Sequence, residues 1–210
     1  MIGEVVLKYV YAILNQACEK NKHRDIEIMQ GISGEKEHAE SVLLWVRKLS
    51  KYPSLELQSA AVLHDIDRIV TPGVGGGFEG DRNSKAYEEH KKAHAKRSAD
   101  YVCPLLLEKG ILPVFVDRVG FLIMHHDDTG IEIENHDDRD LDILVASDSL
   151  AFFTSISPRL YAVEGEKRTK DKIRFMINKM PQFARNLLRQ QQLENKTFEH
   201  MKNEVLAEFR

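Results

Sequence analysis

Histidine and aspartate recur along this chain in an order that suits metal binding: His38, the doublet His64-Asp65, His94, the doublet His125-His126, and Asp148. Two of the acids sit in apolar runs. Asp148 lies within Ile143-Leu-Val-Ala-Ser-Asp-Ser-Leu-Ala-Phe-Phe153, and Asp65 ends Ala60-Ala-Val-Leu-His-Asp-Ile66. A carboxylate taken out of water costs many kcal/mol unless a cation or a dense set of donors compensates it. Imidazoles and carboxylates converging from separate helices provide what a divalent ion requires. Ions held in this way act as Lewis acids and activate bound water.

Helices must deliver these side chains, because nearly every segment carries the helical period and no convincing alternating strand is present. The spacing predicts helices over 3–21, 35–51, 55–69, 84–108, 113–126, 138–154, 168–178 and 182–207. The expected fold class is all-α, a helical bundle in one domain spanning residues 1–210. Ser54 is a candidate N-cap with Glu56 in the first turn, and Pro158 and Pro181 are expected to break the C-terminal region. Adjacent helical residues point about 100° apart, so His125 and His126 converge on one ion only near a helix end. Asp127-Asp128-Thr129-Gly130 supplies such an end.

One long irregular stretch interrupts this pattern, Thr71-Pro-Gly-Val-Gly-Gly-Gly-Phe-Glu-Gly-Asp-Arg-Asn83. Its glycines remove side-chain constraints, and it lies between two ligand-bearing helices. Both a substrate lid and a surface insertion fit that position. It lacks the spacing and the preceding strand of a phosphate-binding glycine loop.

Apolar residues make up 42% and charged residues 30%, the balance of a globular protein, and the net charge of −3 gives no global field for nucleic acid or anionic membrane. Cys18 and Cys103 lack metal-type spacing and are too few for a disulfide scaffold. Lys8 interrupts the first apolar run, no small-residue cleavage site follows it, and no run is long enough to span a bilayer. The expected compartment is cytoplasmic.

The ordered pattern H…HD…H…HH…D resembles the HD-domain superfamily of metal-dependent phosphohydrolases. The resemblance spans about residues 35–155. It rests on Glu37-His38-Ala39-Glu40-Ser41-Val42, Val62-Leu63-His64-Asp65-Ile66-Asp67-Arg68, His94-Ala95-Lys96-Arg97-Ser98-Ala99, Ile123-Met124-His125-His126-Asp127 and Val145-Ala146-Ser147-Asp148. The extra histidines resemble the members that hold two metals. By that resemblance His38, His64, Asp65 and Asp148 would bind one ion. Asp65 would bridge to a second, completed by His94, His125 and His126, with manganese, iron or nickel as the metal. A bridging anion reduces the repulsion between two dications.

Phosphoryl transfer also needs cations to hold the remaining oxygens. Arg68, one turn after Asp65, is the expected partner, at a place where the family often carries lysine. The expected catalytic residues are therefore Asp65 and Arg68. Arg97 is one turn from His94, and Arg159 and Lys172 follow Asp148. These three are candidate substrate-binding residues for which a solvated helix face is the competing reading. His94 could instead pair with His90, one turn earlier. His23, His136 and His200 sit in polar surroundings and read as solvated.

The resemblance has limits. Asp67 and Arg68 occupy the stretch where some HD enzymes carry a catalytic glutamate. Asp127-Asp128-Thr129-Gly130-Ile131-Glu132 stands where the cyclic-dinucleotide branch has Gly-Tyr-Pro. The expected substrate is a small phosphate ester such as a nucleotide, with no nucleic-acid polymer and no membrane as partner. Two alternatives stand beside hydrolysis: a mixed-valent di-iron oxygenase, and a catalytically silent module that binds metal or nucleotide. The C-terminal stripe of Phe198, Met201, Val205 and Leu206 could pack in the chain's own core or against a second subunit.

Overall fold

A computed structural model describes residues 2–21, 26–71, 78, 80, 84–128 and 136–209, apart from the side chains of 2, 26–32 and 156–159. Among these residues the chain is all-α, as expected. Helices α1 (Ile2–Asn21), α2 (Ile26–Leu49), α3 (Leu55–Leu63), α4 (Ile66–Val70), α5 (Lys85–Glu108), α6 (Pro113–His125) and α7 (Arg139–Ala151) come first. A π-helical turn (Phe152–Ile156) follows, then α8 (Ser157–Lys179), α9 (Gln182–Gln190) and α10 (Lys196–Glu208).

Local chemistry accounts for most of the boundaries. Ser54 caps α3 by accepting from the Leu57 N–H, and Asp138 caps α7 by accepting from the Leu141 N–H. The helix expected over 55–69 is two helices, because the backbone leaves helical geometry at Asp65 (φ −103°, ψ 18°). There the Asp67 N–H donates to Ser98 Oγ on α5.

Other expected boundaries also move. α2 begins at Ile26 rather than 35, since isolated glycines such as Gly31 and Gly34 cost a helix only about 1 kcal/mol each. The segment expected over 168–178 belongs to the longer α8. Pro158 is accommodated in its first turn, and the chain bends instead at Gly165, whose φ of 77° suits glycine. Pro181 does separate α8 from α9, but residues 182–207 form two helices, with Asn195 capping the second. Gly120 lets α6 approach α5 closely, because a Cβ there would lie 2.9 Å from Cys103 Sγ.

Burial explains why α7 is central. One apolar cluster gathers residues of α1–α6 with Leu141, Ile143, Leu144 and Val145, while a second gathers Ala146, Leu150, Phe152 and the apolar faces of α8–α10. Trp45 and Leu49 of α2 pack against both. α7 is therefore buried from Ile143 onward on all sides, and Asp148 lies between two apolar masses. Phe198, Met201, Val205 and Leu206 pack into the second cluster within the chain. Among the described residues no helix is long and apolar enough to cross a membrane.

Candidate metal centre

Four imidazoles face two carboxylates where α2, α3, α5, α6 and α7 meet. His38 on α2 points Nε2 at Asp148 Oδ1, 2.9 Å away. His64, at the end of α3, holds Nε2 3.7 Å from the same oxygen and 3.8 Å from Asp65 Oδ2. His94 on α5 and His126, at the end of α6, place Nε2 2.6 and 3.4 Å from Asp65 Oδ1. Asp65 thus presents one oxygen to each half of the cluster. The ligand atoms of His38, His64 and Asp65 lie within 4.8 Å of one another, as do those of Asp65, His94 and His126.

The outer nitrogen of every ring is fixed from behind. Nδ1 of His64 and of His126 bond the backbone carbonyls of Ala61 and Ile123, at 3.1 and 2.7 Å. His94 Nδ1 bonds Asp67 Oδ2 at 3.0 Å. His38 Nδ1 lies 3.2 Å from Ser155 Oγ, whose own hydroxyl donates to Ala151 O, leaving the serine oxygen to accept. With the proton on each Nδ1, each Nε2 turns a lone pair inward. Histidine ligands of metals are oriented in this way by the groups behind them.

Lone pairs facing carboxylate oxygens are repulsive unless a cation lies between them. His64 Nε2 is buried without a hydrogen-bond partner, the orphaned donor atom expected of a ligand. Without a metal, the compensation must come from protons. Burial opposes charge on His64, but Asp65 and Asp148 outweigh it and lift the imidazole to about 9. Burial would likewise raise the Asp65 carboxyl, yet Arg68, then His64 and His94, hold it well below the usual carboxylate range. The donor set of imidazole nitrogens and carboxylate oxygens therefore fits transition-metal dications.

His125 does not join this cluster. α6 ends between the two histidines, and only His126 turns inward. His125 points to Asp128 and His136, its Nδ1 being 2.7 Å from Asp128 Oδ2. The physical reason is the angle between adjacent residues on a helix, which one terminal turn did not close. His136, expected to be solvated, is instead half-buried and bonded to the same Asp128 oxygen at 3.2 Å. The His94–His90 pairing is also not found, because both ring nitrogens of His94 are engaged by Asp65 and Asp67.

The candidate cations separate into distinct roles. Arg68 Nε lies 2.8 Å from Asp65 Oδ2, an ion pair without hydrogen-bond geometry, and the side chain lines the cavity. Lys172 also lines it rather than lying on a solvated face. Burial brings this amine down to about 8, and Arg68 and Lys179 act in the same direction. Arg97 is committed elsewhere, clamping Asp67 through Nε and Nη2 at 3.0 and 2.8 Å. It braces the carboxylate that holds His94. The Arg159 side chain and His23 lie outside the described residues, as does most of the segment 71–83 considered as a lid.

Three residues that sequence reasoning passed over belong to the site. Lys179 is fully buried, and its Nζ lies 2.5 Å from Asp148 Oδ2 and 2.7 Å from Asp127 Oδ1. Asp127 Oδ2 in turn lies 3.6 Å from His126 Nε2. Glu35, one turn before His38, faces the cavity with Oε2 buried and without a hydrogen-bond partner, and burial raises its carboxyl despite Arg68 nearby. A faint signal existed for Lys179: it lies two turns after Lys172 on a helix whose intervening face, Ile173, Met176 and Ile177, is apolar. Asp127 and Glu35 carried no such mark.

These groups surround a cavity of about 200 Å³ whose wall includes Phe78, Tyr87, Phe152 and Leu160 beside the polar centre. Phe78 packs on Tyr87 and His90, with ring centroids 5.2 and 5.4 Å away. No family model matches this chain, and no curated protein or solved structure matches it either. The geometry therefore establishes a helical protein in which several His/Asp groups are placed to hold metal ions.

Proposed function

We propose that the protein is a metal-dependent phosphohydrolase that cleaves a small phosphate ester. One observation carries the reading: four imidazoles, each fixed at Nδ1, turn Nε2 toward Asp65 and Asp148 beside a cavity walled by Arg68 and Lys172. His38, His64, Asp65 and Asp148 would hold one ion, and Asp65, His94 and His126 a second. Bound there, divalent ions supply a Lewis acid and an activated water.

The chain's own residues account for the rest of the chemistry. Arg68 and Lys172 bring positive charge to the cavity, where it favours an anionic phosphoryl group over a neutral substrate. The apolar wall residues Phe78, Tyr87 and Leu160 would receive the less polar part of the ester. Glu35, whose carboxyl burial raises despite Arg68 nearby, stands in the cavity wall as the candidate proton donor to a leaving alkoxide. Lys179 neutralises Asp148 and Asp127, so two acids can remain ionised close to the histidines.

The test is release of inorganic phosphate from a panel of phosphomonoesters and phosphodiesters, with manganese, iron or nickel added after chelation. Metal-dependent release that is equal with and without oxygen is expected. Turnover that requires oxygen would replace this reading with an oxygenase. Tight nucleotide binding with no release from any ester would replace it with a regulatory module.

A further inference from the structure

The cluster of His125, Asp128 and His136 lies apart from the cavity, and no step of the proposed chemistry uses it. It is built from the end of α6 and the segment that leads into α7. A turn in which the Asp128 N–H donates to His125 O brings the carboxylate back to His125 Nδ1. His136 comes from the other side, followed by Asp137 in the left-handed region at φ 43°, which aspartate tolerates better than most residues. The result brings His125 Nδ1 and His136 Nε2 to one oxygen, Asp128 Oδ2, at 2.7 and 3.2 Å. The two rings are 4.4 Å apart.

We propose that His125, Asp128 and His136 form a separate zinc-type site that ties the end of α6 to the start of α7. The three ligand atoms lie within 4.8 Å of one another. Ligands about 2.0 Å from a tetrahedral zinc are separated by about 3.3 Å, so His136 and Asp128 already match and His125 needs to withdraw by about half an ångström. The side chains are 29%, 11% and 25% exposed, which leaves access for an ion and for water as the fourth ligand. Phe121 packs against both imidazoles, with centroids 4.7 and 5.4 Å away, and restricts their rotation.

The site has a structural consequence. His126 caps the end of α6 and α7 carries Asp148, one residue from each half of the central cluster. An ion at His125, Asp128 and His136 would fix the relation between these helices next to the existing Arg118–Asp138 pair. Its role is that of a clamp, independent of whether the central cluster performs hydrolysis.

The experiment strips the full-length protein with a chelator, reloads it with zinc alone, and counts retained zinc after gel filtration. His136→Ala and His125→Ala are each expected to retain one equivalent less than wild type. Cobalt alone should give tetrahedral-type visible absorption that each substitution reduces. The central cluster does not confound this result, since its loss would leave the one-equivalent difference intact. Wild-type zinc content in both variants would overturn the proposal. Should a variant fail to fold, the ¹⁵N shifts of His125 Nδ1 and His136 Nε2 in the wild-type protein decide the matter. Large changes on zinc addition are expected, and unchanged shifts would overturn the site.

Discussion

Lys179 Nζ lies 2.5 Å from Asp148 Oδ2, so the more buried acid of the candidate metal cluster already has a cation on its outer oxygen. Its other oxygen, Oδ1, faces His38 and His64. A single carboxylate thus joins a fixed ammonium to the candidate metal ligands. Burial disfavours charge on Lys179, but Asp127 and Asp148 outweigh it and keep the amine protonated.

Removing that ammonium should uncover two buried carboxylates. Lys179→Met is expected to destabilise the metal-free protein by about 3–5 kcal/mol, the usual cost of breaking one side of a buried pair. A bound dication would offset part of this loss. Thermal melts with and without manganese should therefore show a smaller loss in the loaded protein, and equal losses would remove Lys179 from the site's electrostatics.

Asp65 offers one oxygen to each half of the cluster and, among the described residues, is the side chain common to both. Asp65→Ala should abolish turnover and lower the transition-metal content of the purified protein. Elemental analysis beside the phosphate-release assay checks this, and normal metal content with normal turnover would exclude the assignment.

Arg68 borders the cavity and pairs with Asp65 without being a ligand. Arg68→Ala should chiefly raise KM, by roughly tenfold for the loss of about 1.4 kcal/mol of binding, while kcat changes less. Steady-state kinetics on the best ester distinguish this outcome from a fall in kcat at constant KM.

Asp67 touches no substrate in this scheme but holds His94 Nδ1 and is itself clamped by Arg97 and Thr71. Asp67→Asn should weaken metal binding by about 10–100-fold, the range expected when the group behind a histidine ligand is altered. Titration with a competing chelator measures it. Unchanged affinity would reduce Asp67 to a helix-packing role.

pH should act on stability and on metal binding in opposite directions. In the metal-free fold His64 is lifted from its ordinary value to about 9 by Asp65 and Asp148 against the effect of burial. The stability from its charged form is fully present below about 6.5 and is lost as pH rises through about 9. A metal must displace that proton, so affinity should rise over the same interval. Melting temperature and metal affinity measured from pH 6 to 9 test both slopes, and parallel trends would contradict the tautomer assignment.

Much of this organisation was legible in the chain alone. The 3.6-residue periodicity specified helices, because each must bury one apolar stripe, and the Ser54 cap was visible as a residue type in its place. The order of His38, His64-Asp65, His94, His126 and Asp148 carried the central cluster, since buried acids in apolar runs require compensation. Arg68 was legible from its one-turn spacing to Asp65.

Only the tertiary structure decided the rest, for reasons of direction and long-range packing. Sequence spacing could not say which of His125 and His126 turns inward, because that depends on where one helical turn stops. It could not show that Arg97 is taken up by Asp67 across α4 and α5, or that Lys179 reaches Asp148 from a helix beyond the π turn. Those pairings join residues tens of positions apart, and they arise only once two apolar clusters have closed around α7. The chain's sequence named the donors, and the packing of its helices chose their partners.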